Sequence, residues 1–226
     1  MNRPTVLVFV RSPSMGRCKT RLAKDIGPVE ALRFYRASSA GVLRRLRSPR
    51  WRLVICLAGR ATDPRWPALP IEDQGGGDLG ARLARAIRRH ATGKVVVVGS
   101  DVPDLDRVHV ATALRRLRGD RAVLGPAADG GFWLMALGSR RARSIRLNHV
   151  RWSSPYALRD VIDELGEAHV LTQTLIDVDD GAALRQWREQ QNLRAARSVE
   201  LRSRLRCQSE PRGVGSCAVS RKRSSP

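Results

Sequence analysis

An α/β fold, with a mostly parallel sheet covered by helices on both faces, is what the sequence predicts, and three observations carry the prediction. Short apolar runs rich in β-branched residues recur along the chain, Val95-Val96-Val97-Val98 being the clearest. Between them lie segments whose apolar residues return every three or four positions. The runs are near-continuous, as expected of parallel strands buried on both faces between two helix layers. At 226 residues the chain suits one substantial domain and is too short for two comfortable ones.

The elements follow in order. A first strand is expected over Thr5 to Val10, and it empties into the loop Arg11-Ser12-Pro13-Ser14-Met15-Gly16-Arg17-Cys18-Lys19-Thr20-Arg21-Leu22. Leu32, Tyr35, Ser39, Leu43 and Leu46 share helical spacing, and Arg52 to Ala58 reads as the next strand. Asp78 opens a helix marked by Leu79, Leu83, Ile87 and Ala91, after which Lys94 to Gly99 is a strand. Asp104 and Asp106 stand where caps are needed for a helix that begins near Arg107 and carries Val110, Leu114 and Leu117. Strands are expected at Arg121 to Gly125 and Gly131 to Leu137, with Phe132 and Trp133 in the core. Trp152-Ser153-Ser154-Pro155 reads as the start of a last helix, with a serine cap and a proline in the first turn, leading to Leu158, Val161, Ile162 and Leu165. This defines a domain over 1–188. Residues 189–226 form a basic tail with nine Lys or Arg, three Asp or Glu and no aromatic residue, and disorder is expected there.

The formal charge of +21 would ordinarily point to nucleic acid or an anionic membrane. Composition weakens that reading: the basic residues are 38 Arg and only Lys19, Lys24, Lys94 and Lys222, a general arginine bias more than a shaped binding face. Aromatic residues are 4% of the chain, and no basic motif with interleaved aromatics of the single-strand-binding kind occurs. No apolar run approaches the ~20 residues a membrane span requires, and the N-terminus lacks the pattern of a signal peptide, so a cytoplasmic protein is expected. Cys18, Cys56, Cys207 and Cys217 lack zinc-site spacing and read as reduced thiols.

In an open α/β sheet, ligands bind outside the carboxyl ends of the strands, so the polar and glycine-rich segments that follow strands are the candidates. In the first loop Gly16 and Lys19-Thr20 imitate the end of a Walker A motif, but no glycine precedes the lysine, and a kinase-type reading loses its weight. Lys19 and Arg21 remain as cations aimed at a phosphate by a glycine turn, with Ser12 and Gly16 shaping the loop. Gly75-Gly76-Gly77 and Asp78 allow close backbone approach at a helix N-terminus, although a plain surface loop accounts for the glycines equally well. Asp101, just past the valine strand, suits a hard cation such as Mg²⁺ or Mn²⁺, with Asp179 or Asp177 as second ligand. Asp129 before Gly130 and Gly131 leaves room for a ligand hydroxyl. No histidine pair has metal spacing and no Gly-x-Ser-x-Gly elbow is present, which removes zinc-enzyme and serine-hydrolase readings.

The ordered set Pro13-x-x-Gly16-x-x-Lys19-Thr20-Arg21-Leu22, Gly77-Asp78-Leu79-Gly80, Gly99-Ser100-Asp101-x-Pro103-x-Leu105, Gly125-Pro126-x-x-Asp129-Gly130-Gly131, Trp152-Ser153 and Asp177-x-Asp179 resembles a bacterial family of GT-A-fold glycosyltransferases. These belong to the nucleotide-diphospho-sugar transferase superfamily and are of the radical-SAM/selenodomain-associated transferase type. The resemblance covers residues 3 to 188. It implies a GT-A sheet, a nucleotide site built from the first loop and a divalent metal at Asp101. Related nucleotidyltransferases carry a glycine-rich first loop, from which Ser12-Pro13-Ser14-Met15-Gly16 departs.

The expected function is therefore metal-dependent transfer from a nucleotide-activated sugar, with Lys19 and Arg21 on the phosphates, Asp101 and Asp179 on the metal, and Asp129, Gly130 and Gly131 facing the sugar or acceptor. The alternatives are nucleotidyl transfer from a nucleoside triphosphate to a phosphate or carboxylate acceptor, and nucleic-acid binding without catalysis.

Overall fold

The computed structural model describes residues 3–119 and 121–209. Residues up to Trp187 form one compact unit, and those from Arg188 a second. The first unit is built on a seven-stranded sheet. Its strands are β1 (Thr5–Arg11), β2 (Arg52–Ala58), β3 (Ile71–Asp73), β4 (Val95–Gly99), β5 (Ala122–Pro126), β6 (Phe132–Leu137) and β7 (Ala168–Val170), in the spatial order β3-β2-β1-β4-β6-β5-β7. All neighbouring pairs are parallel except those that β6 makes with β4 and β5.

Alternation within each strand assigns the two faces. Val6, Val8 and Val10 of β1, with Val96 and Val98 of β4, pack with Tyr35 and Leu43 of α2 (Pro28–Arg45), with Leu46 at its C-cap, and with Val110 and Ala113 of α4 (Arg107–Arg116). Leu7, Val95 and Val97 turn to the other face, where α3 (Leu79–Arg89), α5 (Ser139–Ser144) and α6 (Ala157–Leu165) supply Leu83, Ile87, Ala142, Val161 and Leu165. The expected α/β class, the five strands and the four helices are all present. The three-residue edge strands β3 and β7 and the short helices α1 (Thr20–Ile26) and α5 were not expected, because each is too short to show a period.

Three local readings are corrected. Asp106 is the cap of α4, its carboxylate accepting from Val108 N at 3.2 Å and its own N–H donating to His109 Nδ1 at 3.0 Å, whereas Asp104 accepts from the Trp187 indole at 2.9 Å. Helix α6 starts at Ala157, past the proline, and no side chain caps it; Ser153 instead takes a left-handed conformation and Ser154 closes a turn on Arg151 O. Residues 189–209, expected to lack regular structure, continue helix α7 (Gly181–Ser209). Arg, Gln, Glu, Leu and Ala favour helix intrinsically, and neither Gly nor Pro interrupts residues 182–209, so the local sequence favours continuing the helix that Leu184 anchors. The remainder of the expected tail, 210–226, lies outside the described residues.

Candidate functional site

β1 and β4 lie side by side, yet the chain leaves β1 toward β2 on one side and β4 toward β6 and β5 on the other. A crevice therefore opens at their carboxyl ends, where two connections part. Phe9 pairs with Gly99 at this edge, and antiparallel β6 brings its beginning, with the Asp129-Gly130-Gly131 turn, to the same side.

Asp101 is the second residue past β4. The segment carrying Asp177 and Asp179 is tied to it through Val178 N donating to Asp101 O at 3.0 Å, which sets one aspartate on either side. Ile176, Val178 and Leu184 bury themselves against Leu22 and Ala31, and Gly181 N donates to Asp25 of α1 at 2.7 Å. Gly181 has no space for a side chain there, since a Cβ would lie 2.8 Å from that of Asp25. The first loop and the 177–181 segment are thus locked together around the crevice.

One carboxylate oxygen from each of Asp101, Asp177 and Asp179 falls within 4.8 Å of the others. Lys19 reaches into this cluster: its Nζ is 2.7 Å from Asp179, 3.1 Å from Asp101 and 3.6 Å from Asp177, and its side chain is 3% exposed. Its backbone is left-handed, at φ 51° and ψ 44°, an uncommon state for a residue with a side chain. Burial acts to lower the Lys19 pKa, but the attraction of Asp101, Asp177 and Asp179 outweighs it and the net shift is upward. For Asp177, burial together with Asp101, Asp179 and Asp129 overcomes the pull of Lys19 and raises the carboxyl to about 7. Its side chain as a whole is 31% exposed, yet Oδ1 is sealed from solvent and accepts no hydrogen bond. Three convergent carboxylate oxygens, one of them without a hydrogen bond, are donors of the type a hard divalent cation takes.

A cleft lies on each side of the cluster. The smaller, of about 230 Å³, is lined by Arg11, Arg17, Thr20 and Arg21 together with Lys19, Asp101 and Asp179. The Tyr35 hydroxyl forms part of its wall, accepting from Arg11 N at 2.9 Å and donating to Arg11 O at 2.8 Å; burial and Asp101 push its pKa up. Cys18, in the same wall, is a buried free thiol whose pKa is raised by burial and by Asp101. The larger cleft, of about 480 Å³, shares Arg21 and Asp179 with the first and extends over Phe9, Phe132, Trp152 and Asp129.

The structure brings Lys19, Arg21, Asp101, Asp129, Gly131 and Asp179 to these adjoining clefts, and separates the other residues singled out from the sequence. Ser12 Oγ donates to Ala61 O at 2.6 Å beside a different depression, and Gly16 forms a turn at φ +72° with open space around it. Asp78 is an N-cap, accepting from Ala81 N at 2.8 Å, and Gly77 precedes it at φ +95°. Gly130 serves packing, because a Cβ there would sit 2.3 Å from Pro155 O. The largest departure concerns Lys19, whose ammonium is held by carboxylates instead of standing free for a phosphate. Arg11, Arg17, Tyr35 and Phe9 were not singled out, and Trp152 entered only as part of a motif and a helix start. The two arginines were legible as part of the basic loop, whereas Tyr35 carried only a helix-core signal.

A family model described as "Uncharacterized protein conserved in bacteria (DUF2064)" matches residues 42–154, half of the chain. The chain belongs to this family. Among solved structures, the DUF2064 chain is similar to a "putative nucleotide-diphospho-sugar transferase" of Desulfovibrio desulfuricans G20, with 27% identity, a TM-score of 0.69, and coverage of 78% of this chain and 83% of that one. A Methanothermobacter nucleotidyl transferase shares the fold at 13% identity and a TM-score of 0.55, over 84% and 98% of the two chains. A CMP:2-keto-3-deoxy-manno-octonic acid synthetase complexed with CTP does so at 12% identity and 0.52, over 85% and 100%. No curated protein matches the DUF2064 chain. These three neighbours thus carry the names of a "putative nucleotide-diphospho-sugar transferase", a nucleotidyl transferase and a nucleotide-sugar synthetase, and among the described residues no helix is long and apolar enough to cross a membrane.

Proposed function

We propose that this protein is a GT-A-type, divalent-metal-dependent transferase that uses a nucleotide-activated sugar. The observation that carries the reading is the meeting of Asp101, Asp177 and Asp179 at the strand crossover, between an arginine-lined cleft and an aromatic one. The name carried by the Desulfovibrio relative supports the same donor class. Mg²⁺ or Mn²⁺ would be held by the three aspartates, and when bound it supplies positive charge against the diphosphate. Arg11, Arg17 and Arg21 line the smaller cleft, and their role is to hold and neutralise the phosphate oxygens. Lys19 keeps the carboxylates together and balances part of their charge.

Asp129 lines the larger cleft and serves as the base. The acceptor hydroxyl gives its proton to the Asp129 carboxylate as its oxygen bonds to the anomeric carbon. The bond from that carbon to the diphosphate oxygen breaks, its electron pair remaining on the diphosphate, where the arginines stabilise it. Three arginines beside the phosphates also favour a second reading, nucleotidyl transfer from a triphosphate, in which the acceptor attacks the α-phosphorus and pyrophosphate departs.

Incubation with Mn²⁺ and a panel of sugar nucleotides and triphosphates separates the two readings, through release of nucleoside diphosphate or of pyrophosphate. Asp101→Ala is expected to slow turnover about a thousandfold, equivalent to ~4 kcal/mol of transition-state stabilisation. Near-native turnover and metal response in that variant would refute the assignment of the metal site.

A further inference from the structure

The larger cleft is built from side chains that this chain uses sparingly. Aromatic residues are 4% of the sequence, yet Phe9, Phe132 and Trp152 all line this one surface. Trp152 is held in place. Gly80 of α3 leaves room for its indole, since a Cβ would come within 2.9 Å of Nε1, and Phe132 meets it edge-on at 6.3 Å between centroids. Leu79, the first residue of α3, lines the same cleft while 41% exposed, an apolar side chain without a cover.

The charge of the cleft opposes that of the molecule. The chain has 42 Lys and Arg against 21 Asp and Glu, but among the described residues Arg21 is the only cation in the lining, against Asp129, Asp177 and Asp179, the last two of which are also paired by Lys19 from outside the lining. An anion entering here meets carboxylates across low-dielectric walls and is repelled, whereas a neutral group is tolerated and an amine is attracted. Flat apolar bodies gain from lying against aromatic faces and edges, and an ammonium gains further from the ring quadrupole.

We infer that this cleft seats the acceptor of the transfer, and that the acceptor is an alcohol or amine carried on a flat, apolar body without an anionic group. Its role as acceptor rests on the transferase reading; the chemistry the cleft selects does not. The same charge pattern argues against the phosphorylated or carboxylate acceptors considered for nucleotidyl transfer. Asp129, whose Oδ1 accepts from Gly131 N at 3.0 Å, is thereby positioned at the cleft wall by its own turn.

Four probes of one shape test the inference on the full chain in EDTA, by ligand-observed NMR: 2-phenylethanol, phenethylamine, phenylacetate and phenyl phosphate. The alcohol and the amine are expected to bind, and the two anions at least tenfold more weakly. Phe132→Leu should weaken the alcohol several-fold, and Asp129→Asn should narrow the gap between alcohol and phenylacetate. Equal binding of all four probes, failure of the alcohol and amine to bind, or unchanged binding in both Phe132→Leu and Trp152→Leu would overturn it. A separate Mn²⁺ titration scores the metal site. Absence of a Mn²⁺ response beside intact probe selectivity would remove the metal-dependent reading and support the selectivity of the cleft.

Discussion

Lys19 and Asp177 are the residues whose chemistry most depends on each other. An ammonium with a 3% exposed side chain is a large expense unless paired, and here three carboxylates pair it. Lys19→Met would leave these carboxylates to repel one another, and a loss of about 2 kcal/mol is expected for the metal-free protein. Chemical denaturation measures it, and Mn²⁺ should restore part of the loss by taking the place of the missing charge. Asp177 gives the pH dependence. Its carboxyl retains a proton up to about pH 7 in the folded chain, against an ordinary value of 3.8, so the folded form binds more protons between those values. The contribution of this group to stability is therefore present at low pH and lost as the pH rises through about 7. Metal binding needs the carboxylate, so Mn²⁺ affinity should climb over the same interval. Asp177→Asn is expected to stabilise the metal-free protein at pH 7 by on the order of 1 kcal/mol while abolishing the Mn²⁺ response. Melting curves at several pH values, with and without Mn²⁺, test both statements.

At the scale of elements, turns and caps decide how the strand ends present their loops. Gly130, at φ +84° and with the Pro155 backbone where a side chain would go, joins the β5–β6 turn to the segment before α6. Leu158 N donates to its carbonyl at 3.1 Å, completing the junction. Gly130→Ala should cost about 2 kcal/mol or more, through both strain and overlap, and shift the melting temperature accordingly. The α4 capping box is a milder case: Asp106→Ala should cost about 1 kcal/mol without altering metal binding. The capping function was visible in the sequence around Asp104 and Asp106, but the choice between them depended on Trp187, which claims Asp104 from far along the chain. Likewise Gly125 reads as part of a ligand motif, whereas the structure spends it on the Trp133 ring, 2.5 Å from where a Cβ would lie.

For the whole molecule, the sheet order places the ends of β1, β4 and β5 and the start of β6 along one edge, and every candidate group in the two clefts follows from that order. The helix beyond Trp187 contributes no buried residue between 188 and 200. A chain ended at residue 190 retains Leu184 and Trp187 and their contacts with Leu22 and Phe34. It is expected to keep its melting temperature within a few degrees and its Mn²⁺ response unchanged. A collapse of either on truncation would assign the basic segment to the site.

Strand and helix positions were legible because apolar periodicity is written within windows of ten or so residues, and Asp101 stood out because it follows a strand directly. By itself the sequence thus determined the α/β class, five of the seven strands and the loops that meet at the carboxyl edge. Only the tertiary structure decided that Lys19 is bound by Asp179, 160 residues away, leaving Arg11, Arg17 and Arg21 to line the smaller cleft. It also decided that β6 runs antiparallel and that the aromatic side chains share one wall. The physical reason is that the partner of a charge, and the direction of a strand, are set by which strand ends become neighbours in space, and no local pattern encodes that adjacency.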